Sequence, residues 1–438
     1  MEQGKQSMLS GWFAALTRKK LRIAAFEQHD RNPNSRALDR QAMLLLTVQG
    51  LYGIANALSG TFLPIYLWKA SQSYGLIGWF NFVQYAVSGL TFWLAGKWVK
   101  EYNKMNSLRL GVALSGVFYF IVLLLGKTAV TYAYLLGAVN GIALGCFWLA
   151  YNVVYFEITE PGNRDRFNGW AGLLGSGAGI VVPWLSGTII TLSQGERGYS
   201  IIFTISAVIF VVAALLSFGL RKRDIEGRYD WKHGIKQLAE RGNPWRKAVP
   251  ALAAQGVREG VFMFLIGLLV FIATKNEQKL GNYSLITSLV ALVSFFLIGK
   301  LLKPGRRRIA MIIGALTIAA AVTPLFWPLS YTTLLVFGIS TSIFMPLYHI
   351  PMTSVVFDLI GRNEASAKHR EEFVVLREAA LTSGRLLGLA AYLIVLPFAG
   401  RYPQAVPWLL LAVGLFPVVG WFCIQSVIGM KDMAAARK

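Results

Sequence analysis

Cysteine is nearly absent from this chain. The two present, Cys146 and Cys423, each lie inside an apolar run. A disulfide framework and a Cys-based metal site are therefore not expected, and both read as small buried hydrophobes. Acidic residues are scarce as well, with 21 Asp and Glu against 43 Lys and Arg. Histidine occurs four times. His349 has no acidic or Cys cluster around it, so it reads as a packing residue first and a proton relay second, not as a metal ligand. The glycine-rich stretch "GSGAG" (Gly175 to Gly179) lacks the Lys-Ser/Thr ending of a phosphate loop, and nucleotide-driven work is not expected. No paired catalytic groups stand at a membrane edge, so neither an enzyme nor a cofactor is expected.

What is present is apolar length. The chain is 55% hydrophobic, with a mean hydropathy of +0.51, and runs of about 20 apolar residues recur, the length that crosses a bilayer as a helix. Barrel strands alternate apolar and polar over ~10 residues; "GVFYFIVLLLG" (Gly116 to Gly126) does not. The expectation is an all-α membrane protein with twelve spans at 43–68, 74–96, 107–126, 129–155, 167–192, 199–220, 249–273, 280–299, 308–327, 330–357, 373–398 and 406–429. The net charge of +22 falls in short loops between spans, which argues against nucleic acid as a partner. With both termini and every second loop taken as one side, that side holds 34 of the 43 Lys and Arg. The bias places both termini in the cytoplasm of a multi-pass plasma-membrane protein.

The expected organisation is a tail at 1–42, a six-helix bundle at 43–220, a basic linker at 221–248, a second bundle at 249–429 and a tail at 430–438. Leu9, Trp12, Phe13, Leu16, Leu21 and Phe26, mixed with Arg18, Lys19, Lys20 and Arg22, read as an amphipathic helix on the membrane surface rather than a cleavable signal. The linker, with nine basic residues between Arg221 and Lys247, reads as a solvated tether near anionic lipid, or as a regulatory loop.

The halves resemble each other at a near-constant offset. Gln49-Gly50 recurs as Gln255-Gly256 and "RDRF" (Arg164 to Phe167) as "REEF" (Arg370 to Phe373), each 206 residues on; Gly96-Lys97 recurs as Gly299-Lys300. Six spans restore the orientation, so the repeats are parallel. Two such bundles with a site between them near the midplane describe a transporter.

Twelve spans, a 6+6 repeat and a long basic central loop resemble the major facilitator superfamily. Its signature loop between spans 2 and 3 is similar to "GKWVKEYNKM" (Gly96 to Met105), which keeps Gly96 and Lys104 but has Lys100 for the usual Asp and Asn103 for the second Gly. "GKLLKPGRRR" (Gly299 to Arg308) keeps Gly299 and Gly305, with Lys303 at the acidic position. The missing Asp puts the family's usual charge latch in question. "RALDRQAMLLL" and "ANALSGTFLPIYLWK" also resemble the bacterial permeases of the YQGE family, a resemblance that implies no substrate.

Charge inside the spans marks the candidate site, because an ionised group in hydrocarbon faces a cavity or a partner. Arg258 and Glu259 lie in span 7, and Arg377, Glu378 and Arg385 in span 11. Arg385 lies about 18 Å in, near the midplane, and shares a helix face with Glu378 seven residues before it. Two readings stand. In one, Arg258, Glu259, Glu378 and Arg385 are structural ion pairs between spans 7 and 11. In the other, Arg385 and Arg258 bind an anionic or zwitterionic substrate together with Asn56, Tyr52, Asn140 and Tyr348, while Glu259 or Glu378 carries a proton. Glu157 and Asp358 end spans 4 and 10 in matching places and are candidate gate residues towards Arg164 and Arg362. Gly172, Gly175 and Gly179, with Pro183, read as a smooth face for close helix packing.

The expected function is secondary transport by alternating access. A monomer would move a small solute under an ion gradient, with membrane lipid around it and a proton as coupling ion. A flippase for a lipid-linked substrate and a non-transporting sensor on a carrier fold are the alternatives.

Overall fold

The computed structural model describes residues 38–159, 163–193, 196–221, 227–361, 366, 368–402 and 404–436. The surface helix expected around Leu9 to Phe26 lies outside them. Among the described residues, eleven helical runs are long and apolar enough to cross a membrane. One of these, Tyr74–Val130, has 57 residues and is too long for one crossing. It holds two spans, Tyr74–Trp98 and Lys104–Leu125, joined by a π-helical turn at Val99–Asn103. The expected twelve spans are therefore all there.

Span 1 is Arg40–Gly60, continued by Leu63–Ser71 after a break at Thr61 and Phe62. Pro64 starts the second piece, where its missing N–H costs nothing. Span 4 is Ala133–Ile158, span 5 Arg164–Leu192 and span 6 Glu196–Ser217. Span 7 is Trp245–Thr274, span 8 Glu277–Leu301, span 9 Arg307–Ala320 and span 10 Tyr331–Ile360. Span 11 is Arg370–Ala399, and span 12 runs from Ala405 to Ala436 with a break at Leu415. Helix starts carry side-chain caps where water is near: Asp39 accepts from Ala42 N, Ser73 from Leu76 N and Asn276 from Lys279 N, while Ser330 and Thr333 form a capping box.

The same neighbours recur in both halves. Span 1 packs on 5 and 6, span 2 on 4, and span 3 on 4 and 6; span 7 packs on 11 and 12, span 8 on 10, and span 9 on 10 and 12. The parallel repeat read from weak sequence matches is thus a repeat of packing. The most extensive contacts between the six-helix bundles are span 2 against span 11 and span 5 against span 8, with smaller ones of span 4 on span 11 and of the Leu63–Ser71 piece of span 1 on span 7.

Lipid supplies no hydrophobic drive between helices, so close packing must hold them together. Spans 7 and 11 show how. A Cβ at Gly256 would lie 2.1 Å from the Leu381 carbonyl oxygen, and one at Gly260 2.4 Å from that of Arg385. Reciprocally, Gly384 meets the Ala253 carbonyl at 1.9 Å and Gly388 that of Val257 at 2.3 Å. Two pairs of glycines four residues apart bring the backbones into direct contact.

The linker departs from the solvated tether expected of it. Its described part lies across the terminus-side ends of spans 2 and 11. Trp231 packs edge-on against Trp93 at 4.9 Å and Tyr229 covers Gly96. His233 stacks on His369 at 3.9 Å, and Trp245 stacks on Phe373 at 5.0 Å. The reason is composition: a basic loop that also carries aromatic rings buries the rings and leaves the charges in water.

His233 has a pH consequence. Burial, and then the neighbouring His369, hold its imidazole below the usual histidine range, against the pull of Glu372 and Asp230; Lys100 pushes the same way as burial. Its Nε2 is buried without a partner. A histidine with a depressed folded pKa stabilises above its unfolded value of about 6.5, and that stability is lost as pH falls through the folded value. Acidifying from neutrality to about pH 5 should therefore loosen the 229–239 segment and raise its opening equilibrium. Hydrogen exchange of these amides reads the effect, and His233→Phe should flatten it.

Candidate functional site

Between the bundles lies a cavity of about 970 Å³. Its charged lining is Arg258, Glu259, Arg377, Glu378 and Arg385, all from the second half. The first half lines it with Asn56, Asn81, Gln84, Tyr85, Asn140 and Asn152. With His349 neutral, the wall carries three cations and two anions, an excess of one positive charge.

Span 11 turns Glu378 and Arg385 to one side, and span 7 brings Glu259 to meet them. Arg385 Nη1 donates to Glu378 Oε1 at 2.6 Å. Its Nη2 and Nε donate to Glu259 Oε2 at 3.0 and 3.2 Å. Gln255 Nε2 occupies the other Glu259 oxygen at 2.7 Å. The Arg385 guanidinium also lies over the Tyr85 ring, 5.3 Å from its centre, which is this cluster's contact with the first half.

Arg258 is different. It is 7% exposed, and its guanidinium carbon lies 4.7 Å from the centre of the Phe262 ring. Its Nη1 touches only the Met345 sulfur, at 3.9 Å, and its Nε has no partner. Among the described residues it makes no ion pair, so it is not a member of the expected four-residue network. Arg377 packs over the Phe357 ring at 5.5 Å, nearer the terminus side.

On the first-half wall, Asn140 Nδ2 donates to Gln84 Oε1 at 3.0 Å and Asn81 to the Ile77 carbonyl at 2.8 Å. Two residues expected in the lining are elsewhere. Tyr52 is stacked on Phe147 at 3.5 Å within the first bundle, and Tyr348 is fully buried against Gly420 in the second. Large rings fill the gaps between helices of one bundle, and helical spacing alone did not separate that role from lining. His349 lines the cavity, with Nδ1 3.3 Å from the Thr353 hydroxyl.

Both ends of the cavity are bridged by charge. Away from the termini, Lys69 pairs with Glu277 at 2.5 Å, and Tyr199 Oη donates to the same carboxylate at 3.0 Å. On the terminus side, Lys100 donates to Glu372 at 2.7 and 2.8 Å and to the Lys368 carbonyl at 2.8 Å, with Glu371 3.7 Å away. Lys100, Glu371 and Glu372 are all buried. Glu157 pairs with Lys104, inside the first bundle. Asp358 is exposed at the end of span 10; Arg362 and the Arg164 side chain lie outside the described residues.

Spans 5 and 8 separate along their length. A Cβ at Gly187 would meet the Glu277 carbonyl at 2.7 Å, yet Gly169, on the same face 18 residues (five turns) earlier, meets nothing within 4 Å. Gly172 and Gly175 are equally open. The smooth face expected at Gly172 and Gly175 therefore has no helix against it in this conformation.

A profile of the Major Facilitator Superfamily matches residues 45–367. The chain belongs to the major facilitator superfamily. Within it, the chain is 37% identical over 358 residues to YqgE of Bacillus subtilis (strain 168), covering 82% of this chain and 83% of that one. The fold is similar to a bacterial homologue of the iron transporter ferroportin in an outward-facing state, with a TM-score of 0.64 at 15% identity over 90% of this chain and 100% of that one. It is also similar to a point mutant of the nucleoside transporter NupG, at 0.65 and 13% over 89% of this chain and 100% of that one. The chain is thus a multi-pass membrane protein of transporter type. In the superfamily's signature loop Lys100 stands at the acidic position, and here it meets Glu371 and Glu372 at the start of span 11. A basic residue at that position thus ties the end of span 2 to the start of span 11 through an ion pair.

Lys69, Glu277, Glu371 and Glu372 were not singled out by sequence reasoning, and Lys100 only as the residue at the signature loop's acidic position. One signal was available: the loops opposite the termini hold only two acids, Glu196 and Glu277. Each faces a lysine, Lys127 at 2.6 Å and Lys69 at 2.5 Å.

Proposed function

We propose that the protein carries a small anionic or zwitterionic solute across the plasma membrane by alternating access, as a secondary transporter with cytoplasmic termini. The observation that carries this is the cavity between the bundles, polar on one wall and with one cation in excess on the other. Arg258 and Arg385 are the site's candidate cations, Asn56 and Asn140 its neutral groups, and Glu259 and Glu378 the candidates for a coupling proton. Lys69 and Glu277 close one end; Lys100 with Glu371 and Glu372 closes spans 2 and 11 at the other; Glu157 and Asp358, at the ends of spans 4 and 10, are further gate candidates. Both sets of bridges are closed in the conformation described; rocking the bundles opens one end by breaking its bridges while those at the other end stay closed.

The separation of spans 5 and 8 towards the terminus side supports a second reading, a flippase whose amphiphilic substrate enters sideways from lipid. The test serves both. Proteoliposomes are offered a mixed set of small anions, zwitterions and neutral solutes, and a fluorescent anionic lipid in a parallel arm. A variant with Cys at positions 69 and 277, lacking Cys146 and Cys423, is cross-linked by a short bis-methanethiosulfonate, each thiolate displacing a sulfinate to form a reducible disulfide. Solute uptake that stops on cross-linking and resumes on reduction is the expected result. Lipid movement alone selects the flippase; flux indifferent to the cross-link sinks alternating access at this gate.

A further inference from the structure

We infer that Arg258, not Arg385, receives the substrate's anionic group, and that the substrate is a small organic monoanion with a neutral, hydrogen-bonding body. The inference rests on the carrier reading and names the substrate class of that site.

The first step is to ask which cation has hydrogen bonds left to give. Arg385 has Nη1, Nη2 and Nε all engaged by two carboxylates. An anion arriving there would have to displace Glu259 or Glu378, and would meet two negative charges within hydrogen-bond range of the same guanidinium. Arg258 has neither obstacle. It lines the cavity, is more than nine-tenths buried, and has an unpartnered Nε and no ion pair among the described residues. A buried charge in that condition is costly unless something pairs with it. A planar carboxylate presents two oxygens matching the guanidinium fork. The Thr341 hydroxyl lines the same cavity and is also buried without a partner. A single hydroxyl and a single guanidinium left open together make a receptor for one anionic group.

The second step concerns the opposite wall. Among the described residues, no Lys, Arg, Asp or Glu of the first half lines the cavity. Its polar groups are amides and a few hydroxyls, and the Asn140–Gln84 bond uses only one donor and one acceptor. That leaves the Gln84 amide nitrogen and the Asn140 amide oxygen without a partner among the described residues. Amides that can both donate and accept suit hydroxyls or amides on a ligand. The third step is charge. The lining carries one positive charge in excess, which a monoanion neutralises and a dianion overshoots.

The experiment uses the purified full chain. Thermal shift and direct binding are read with gluconate (a polyol monoanion), sorbitol (the same kind of body, neutral), hexanoate (the anion without the body) and a broader set of hydroxylated or amidated monocarboxylates. The expected order is polyhydroxy or amide monoanions first, hexanoate weak and sorbitol silent. Arg258→Gln should weaken the best ligand on the order of 100-fold. Arg258→Lys, which keeps the charge and guards against a folding artefact, should recover only part of this. Gln84→Ala with Asn140→Ala should weaken polar-bodied anions while leaving hexanoate unchanged. A triple variant, Glu259→Gln, Glu378→Gln and Arg385→Gln, should still bind. Equal binding by wild type and Arg258→Gln overturns the assignment, as do hits confined to cations or neutral solutes, or no anionic hit at all. Binding without flux in proteoliposomes would instead overturn the carrier reading and leave this site standing. Anion flux that survives Arg258→Gln would do the reverse.

Discussion

Valine in place of Gly384 is expected to leave almost no folded protein. Its Cβ alone would lie 1.9 Å from the Ala253 carbonyl oxygen and 2.7 Å from the carbonyl carbon. A side chain can rotate away from a clash, but a helix backbone cannot, so spans 7 and 11 would have to part. Overpacking of an adaptable core costs about 1–3 kcal/mol; a backbone collision at the closest seam of the fold should exceed that and compete with the whole of a domain's ~5–15 kcal/mol. Folded yield by size-exclusion chromatography, with melting temperature for whatever survives, measures it. Gly299→Ala is the contrast. Nothing lies within 4 Å of a Cβ there, and a better helix former should cost nothing. If Gly384→Val melts like Gly299→Ala, the seam does not hold the second half together.

Arg385→Met should be the next most damaging change, for an electrostatic reason. It leaves Glu259 and Glu378 facing each other with their common partner gone. Removing one member of a buried ion pair costs about 3–5 kcal/mol, mostly as the penalty on the charge left behind, and this partly buried cluster should lose less than that. The decisive comparison is the triple variant Glu259→Gln, Glu378→Gln, Arg385→Met, which removes all three charges and should regain most of the lost melting temperature. A triple variant no more stable than the single one would mean that Arg385 acts through its packing on Tyr85 rather than through charge.

The spans were legible because a bilayer imposes length and apolarity on every crossing, and because basic residues segregate by side. The shared face of Arg385 and Glu378 followed from helix geometry alone. What could not be read was pairing across distance. Lys100 and Glu372 are 272 residues apart, and nothing local to either names the other. Gly256, Gly260, Gly384 and Gly388 are spaced like many small residues in membrane helices, so spacing did not single out the seam they form. Gly172 and Gly175 had the same look and face open space. Tyr52 and Tyr348 failed for a related reason: a ring at midplane depth fits a cavity wall and a bundle interior equally well. Arg258 was visible as a buried charge, but its lack of a partner is a property of the folded neighbourhood.

The glycine seam bears on which parts of the cavity are free to change during a transport cycle. Gln255, Glu259, Glu378 and Arg385 sit on two helices whose backbones touch, so the hydrogen bonds among them ride with the second half as cargo on one rigid body. Rocking cannot reshuffle them. The cluster's reach into the other half is the flat face of Tyr85, a contact without directional bonds that can slide or let go at small cost. The charged wall therefore keeps one geometry whichever side it faces, and only a proton taken up or released by Glu259 or Glu378 would alter the field a solute meets there.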